Sequence, residues 1–403
     1  MTSADSRNAS AVTQKHQDNY KPSRVAILAA WVGLVCFVIA GYWFASRFDR
    51  PVEKTIEFIS GRTMGTSYSV QYIPTANTLD GQELASQVQM TLERVNDQMS
   101  TYQDDSEISR FNQSTEINQP FAVSIEFGQV SQEALSISRA TDGSYDVTVG
   151  PLVNLWGFGS EGSIEKSPTE PQVAQALRAV GYEKLGVELK PPSLLKSSAD
   201  LQIDLSSIAK GHGVDQIANV LQRNGIANYF IEIGGEIRVQ GRKSAEQPWR
   251  VGIELPFVGE RAIGLPLEIE DSSLASSGNY RNYFIDEQTG EFFSHTIDTE
   301  TGRPLRSTIL AVSVAASTCA SADGIATALM TVPQESWLDV ANRNDWSALA
   351  MVSDQGNISA IASNSFAAQF PGALERLKDR LRIVNGGDSA NSGGSELESI
   401  DSP

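Results

Sequence analysis

Cysteine and histidine are scarce in this chain. Its 403 residues include two cysteines, Cys36 and Cys319, and three histidines, His16, His212 and His295. Two cysteines, one of them inside an apolar run, build neither a disulfide framework nor a thiolate zinc site. With so few histidines as well, any metal must rely mainly on oxygen ligands, which favours magnesium over zinc. Positive charge is also in deficit, since 31 Lys and Arg stand against 49 Asp and Glu and the formal net charge is −18. No cluster of basic residues offsets that balance, and an acidic surface repels a phosphate backbone, so a nucleic-acid partner is excluded. Repeats of solenoid period and strict strand–helix alternation are missing too, which sets aside solenoids and doubly wound parallel sheets.

What is present begins with one long apolar run. Residues 25–46, VAILAAWVGLVCFVIAGYWFAS, carry no charge, and about 22 residues suffice to cross a ~30 Å hydrocarbon core. Arg7, Lys15, Lys21 and Arg24 precede the run, and Arg47 and Arg50 follow it. This bias predicts a cytoplasmic segment 1–24, a single-pass anchor at 25–46 and an exported remainder, placing the bulk of the chain in the periplasm on the inner membrane. A cleaved signal peptide is the competing reading, although the run exceeds a usual signal core. At the other end, residues 384–403 are rich in Gly, Ser and acidic residues. They bury too little to offset the entropy of ordering and are expected to form a disordered acidic tail. The globular part is then 55–383, and 40% hydrophobic content supports a sizeable core.

Periodicity within that part predicts helices at 84–99, 125–141 with Ser124 as cap, 170–180 after Thr169, and 213–224 ending at Gly225. Short β-rich runs predict strands at 201–205, 228–233, 236–241, 249–254 and 311–316. Gly234-Gly235 supplies the positive φ angles of a tight hairpin turn. The fold class expected is α+β, one domain with a mixed or antiparallel sheet flanked by helices.

Four stretches carry chemistry. IDLSSIAKGHGVD (203–215) leads into a helix expected to start at its glycines, where backbone N–H groups and Lys210 suit a phosphate; glycines at such a place also serve as a plain turn. GSYDVTVGPLVNLWGFG (143–159) gathers glycine, Asp and aromatic residues that either pack on a ring system or form ordinary core. SGNYRNYF followed by SHTIDTETGRPL holds His295. ADGIATALM (322–330) places Asp323 and Thr327 one turn apart on one helix face. Either Asp323 caps the helix and Thr327 bonds back to it, or the two are ligands of a hard cation.

Taken with TMGTSYSV, MSTYQDDSEISRFN and IEIGGEIRVQG, these stretches run in the order and spacing of the ApbE-like FAD:protein FMN transferases. Residues from about 60 to 365 resemble that family. The resemblance implies an enzyme that splits FAD and attaches FMN through a phosphoester to a Thr or Ser hydroxyl of a target protein, releasing AMP. It implies magnesium held by Asp323, Thr327 and the carbonyl of Ser207. Contacts to FAD are implied for Met64, Tyr102, Ser144, Tyr145, Asp146, Asp204, Lys210 and Ile297. His295 is the implied general base. Expected partners are exported flavin-acceptor domains, such as subunits of electron-transport complexes. The sequence departs from the usual pattern at Ser206-Ser207, where Gly or Ala is frequent, and at His212, where tyrosine is more usual. A magnesium-dependent FAD pyrophosphatase and a non-catalytic flavin carrier are the alternative functions.

Overall fold

The computed structural model describes residues 55–385, apart from 77, 163, 165, 245, 256–262, 279–282, 286–291, 355–356 and 379–380, together with 31, 33, 35–39 and 43. The chain divides into two compact units, Met1–Glu53 and Lys54–Pro403. In the first, the described positions are helical. The expected segment 1–24 and most of the expected anchor lie outside the described residues. Among the described residues no helix is long and apolar enough to cross a membrane.

The second unit is built on a nine-stranded sheet that follows chain order. Its strands are β1 (Glu57–Thr63), β2 (Thr66–Tyr72), β3 (Tyr229–Ile233), β4 (Glu236–Gln240), β5 (Ser272–Gly278), β6 (Ile309–Ala316), β7 (Ser347–Asp354), β8 (Asn357–Ala362) and β9 (Arg382–Asn385). Neighbours are antiparallel except β8 and β9, which run parallel. The helices are α1 (Gly81–Met99), α2 (Glu107–Gln113), α3 (Ile125–Ala140), α4 (Gly150–Leu155), α5 (Glu170–Leu177), α6 (Ser206–Arg223), α7 (Cys319–Thr331), α8 (Gln334–Arg343), α9 (Asn364–Gln369) and α10 (Pro371–Lys378).

Alternation along the strands divides the core into two layers. Val312 and Val314 of β6 and Ala348 and Ala350 of β7 pack with Ile208 of α6 and Ala322 and Ala326 of α7. Ala311, Ala315, Leu349 and Met351 join a second cluster with Trp249, Val251 and Phe366. On α1, Leu84, Val88 and Leu92 are fully buried, each contributing on the order of 2 kcal/mol. Asp80 caps this helix by accepting from Gln82 N–H at 2.7 Å, and Ser124 caps α3 as the sequence suggests.

Several expectations are corrected. Residues 201–205 form no sheet strand; a single bridge joins Gln202 to Val149. Their polar groups are met elsewhere, with Ile203 N–H donating to Asn112 Oδ1 at 2.8 Å and Asp204 N–H to the Val147 carbonyl at 2.8 Å. The strand Trp249–Glu254 pairs with Ile263–Ile269 in a separate hairpin, because its apolar side chains cover the main sheet rather than extend it. The 170–180 helix stops at Leu177. Strand β9 takes in residues 384 and 385 of the expected tail, and 386–403 lie outside the described residues. The largest revision concerns α6, which starts at Ser206 and not at the glycines. Gly211 lies inside the helix because α7 passes so close that a Cβ there would stand 2.2 Å from the Cys319 carbonyl oxygen.

Candidate active site

That close approach of α6 and α7 sets up the site. Gly211 N–H donates to Asp323 Oδ2 at 2.9 Å. In a regular helix this amide serves the carbonyl four residues back, here that of Ser207. Asp323 is in mid-helix, and α7 is capped instead by Thr318, whose side chain accepts from Ser321 N–H. The capping explanation for Asp323 therefore falls. Thr327 presents its hydroxyl to Ser277 Oγ of β5 at 3.0 Å.

Across the helix pair, β4 contributes Glu236. The turn before it has φ of +61° at Gly234 and +109° at Gly235, conformations glycine adopts at little cost. The Glu236 side chain is thereby turned inward, 3% exposed, and its Oε1 accepts from Lys210 Nζ. Lys210 Nζ also lies 3.6 Å from Asp323 Oδ1. Burial, and then the neighbouring Asp323, push the Glu236 carboxyl above its ordinary range, while Lys210 opposes the shift. Asp323 is raised by burial against the pull of Lys210. Burial lowers the Lys210 ammonium, but Asp323 and Glu236 together outweigh it and its pKa is raised. Two buried acids sharing one base leave the cluster with excess negative charge.

The opposite wall comes from the 143–149 segment and from 295–299. Tyr145 is buried and its phenol meets Ser207 Oγ at 2.7 Å. Burial raises the phenol pKa, with the Ser207 bond opposing, so the group stays neutral and can donate. Asp146 is committed to its own loop: Oδ1 accepts from Thr148 N–H and Oγ–H, and Oδ2 from Tyr182 N–H at 2.7 Å. Asp204 Oδ1 accepts from Ser206 N–H at 2.7 Å, which stabilises the start of α6. Thr299 ties the two segments together by donating to the Gly143 carbonyl at 2.7 Å.

These groups line one cavity of about 370 Å³. Of the residues implied by resemblance, Ser144, Tyr145, Asp146, Asp204, Ser207, Lys210, His295, Ile297, Asp323 and Thr327 all border it. Met64 and Tyr102 do not. Met64 sits in the β1–β2 turn with φ +48°, and its methyl group packs toward Gly213. Tyr102 is 72% exposed on the loop before α2. His212, the departure noted above, is 7% exposed, and burial lowers its pKa. It does not line the cavity. Glu236 and Ser277 were not singled out from the sequence, although an acid directly after a double glycine in an apolar strand was a usable signal for the first. A larger surface concavity of about 760 Å³ near Trp249 is bordered by the exposed pairs Arg242–Glu270 and Arg250–Glu268. Those charges are already matched, so size alone does not mark the site.

Among the described residues no group of three His, Cys, Asp or Glu side chains gathers as a metal-binding cluster. The oxygen-bearing groups that border the cavity are instead the Asp323 carboxylate, braced by Gly211 N–H, the Thr327 hydroxyl, braced by Ser277, and Ser207, braced through its hydroxyl by Tyr145. Such an all-oxygen set fits a magnesium ion, which takes few protein ligands and fills its octahedron from phosphate and water. The buried Glu236 Oε2 finds no hydrogen-bond partner within the protein, a further sign that a cationic or hydrogen-bonding ligand completes the cluster. Lys210, placed beside these oxygens, suits the phosphates such a cation accompanies.

Fold and cavity thus define an α+β protein with an acidic, lysine-bearing cavity between two helices and a sheet end. Residues 64–351 match the ApbE family. The chain is 44% identical over 318 residues to the FAD:protein FMN transferase of Vibrio cholerae serotype O1, covering 79% of this chain and 93% of that one. The Haemophilus influenzae FAD:protein FMN transferase is 39% identical over 318 residues, with 78% and 91% covered. Among solved structures, the flavin transferase ApbE from Vibrio cholerae superposes with a TM-score of 0.72 at 42% identity, covering 78% of this chain and all of that one. The chain belongs to the ApbE family.

Proposed function

We infer that this enzyme transfers FMN from FAD to a protein, and we propose the finer chemistry as follows. The acceptor is a Thr or Ser hydroxyl, the product a phosphoester-linked flavin, and AMP leaves. The observation that carries this reading is the meeting of Asp323, Thr327 and Ser207 with Lys210 and His295 around one cavity.

Magnesium, held by Asp323, Thr327 and the Ser207 carbonyl, would supply charge neutralisation at the pyrophosphate. Lys210 holds phosphate oxygens as a compact cation and stabilises charge developing toward AMP. His295 receives the proton that the acceptor hydroxyl loses as it attacks the FMN-side phosphorus. Tyr145 and Ser277 fix Ser207 and Thr327 in place through their hydroxyl bonds, so little reorganisation is needed as charge develops. Ser144, Tyr145, Asp146, Asp204 and Ile297 line the wall available to the rest of FAD. Met64 and Tyr102 would join them only from the cavity's surroundings.

The uncharged run at 25–46 supports a single-pass inner-membrane anchor, with residues 55–383 in the periplasm facing exported acceptor domains. In-gel flavin fluorescence tests the activity, using the chain with FAD, magnesium and an acceptor domain. A fluorescent acceptor band that survives denaturation is expected, falling by on the order of 10²-fold or more in Asp323→Ala. A dark acceptor with FAD still converted to FMN and AMP would make the enzyme a pyrophosphatase. Intact bound FAD would make it a carrier.

A further inference from the structure

Lys210, Glu236 and Asp323 contain one base and two acids, and both acids are almost wholly buried. Side-chain exposure is 4% for Glu236 and 3% for Asp323, against 30% for Lys210. The lysine is therefore the member with room to move. Its ammonium is bonded to Glu236 Oε1, whereas the 3.6 Å separation from Asp323 Oδ1 is a charge contact beyond hydrogen-bond length. Glu236 retains a second oxygen, Oε2, with no partner in the protein. A purely structural role for Glu236 as a link between α6 and β4 is redundant, because Asp215 and Arg238 already join the same two elements.

Resting on the reading of this cavity as a magnesium site, we propose that Glu236 is a positioning residue that retains Lys210 when metal enters. Without metal, the lysine is shared between the two acids, bonded to Glu236 and in charge contact with Asp323. When a divalent cation takes Asp323, two positive charges on one carboxylate repel each other. The ammonium then gives up the Asp323 contact and keeps its bond to Glu236, whose vacant Oε2 accepts a second N–H. The cation adds two positive charges to the cluster, the sign that suits a pyrophosphate. The lysine stays at the rim of the metal site, where phosphate oxygens arrive, instead of being expelled into solvent.

The test is calorimetric titration of Mg²⁺ into the full chain without flavin, on wild type, Glu236→Gln, Lys210→Gln and the double variant. Glu236→Gln leaves the lysine nothing anionic but Asp323, so magnesium affinity is expected to fall about tenfold. Lys210→Gln removes the competitor, and affinity is expected to rise several-fold. In the double variant the loss caused by Glu236→Gln disappears. Persistence of that loss in the double variant would mean that Glu236 binds the metal directly and would overturn the proposal. Unchanged magnesium affinity in Glu236→Gln, with or without a lowered melting temperature, would also overturn it. Wild type that takes up no magnesium at millimolar concentration overturns it too, while the gel assay above still decides flavin transfer separately.

Discussion

Lys210–Glu236 and Asp215–Arg238 both join α6 to β4, with base and acid exchanged between the elements. The second pair is closed. Asp215 also accepts from Cys319 N–H at 3.0 Å and Ala320 N–H at 2.9 Å, so the first turn of α7 completes its hydrogen bonding. The first pair is open, since a second acid, Asp323, shares its lysine and Glu236 Oε2 has no partner. The same helix–strand contact thus supplies a structural clamp at one level and a ligand-ready cluster at the next. The difference is whether backbone amides or an incoming ligand complete the charges.

The largest effect on this comparison is expected from opening the closed pair. Arg238→Met leaves Asp215 with amides but no cation, and the folded state should lose about 3 kcal/mol by denaturant titration. Flavin transfer per folded molecule should change little. A transfer defect larger than the stability defect would show that the two pairs are coupled rather than separate. A smaller effect is expected from Ser277→Ala, which removes the partner that orients the Thr327 hydroxyl. Magnesium affinity should fall roughly tenfold with the melting temperature nearly constant, and an unchanged affinity would remove Thr327 from the ligand set.

The smallest effect concerns a third buried charge, which backbone carbonyls and a ring surround in place of a carboxylate. Lys196 is 1% exposed; its Nζ donates to the carbonyls of Ser114 and Leu201, each at 2.9 Å, and stands 4.6 Å from the Phe111 ring centroid. Burial pushes its pKa down to about 8 from an ordinary 10.5, with Asp200 opposing. Between those values the unfolded chain holds the proton and the folded chain does not, so this residue makes stability rise with pH across the window. Lys196→Met should flatten that rise in a melting-temperature series. An unaltered slope would assign it to other groups.

Local signals in the sequence carried far. The four-residue spacing of Asp323 and Thr327 was readable because a helix brings such positions to one face. The Ser124 cap and the Gly234-Gly235 turn were readable because each rests on short-range backbone geometry. Gly211 was misread for the same reason: glycine near a helix start usually signals a terminus, and its actual cause, the Cys319 carbonyl, lies far along the chain. The 201–205 run kept its alternating burial, but its backbone bonded to Asn112 and the 147 loop rather than to a ladder.

The amino-acid sequence by itself determined the α+β class, the family motifs and the scarcity of sulfur and imidazole ligands, since each follows from composition or from contacts within a turn or two. Tertiary structure alone decided which groups complete the site. Lys210 meets Glu236 across 26 residues, Thr327 meets Ser277 across 50 and Asp323 meets Gly211 across 112. No local periodicity encodes such pairings, because they exist only once the sheet and the packed helices bring distant segments to one point.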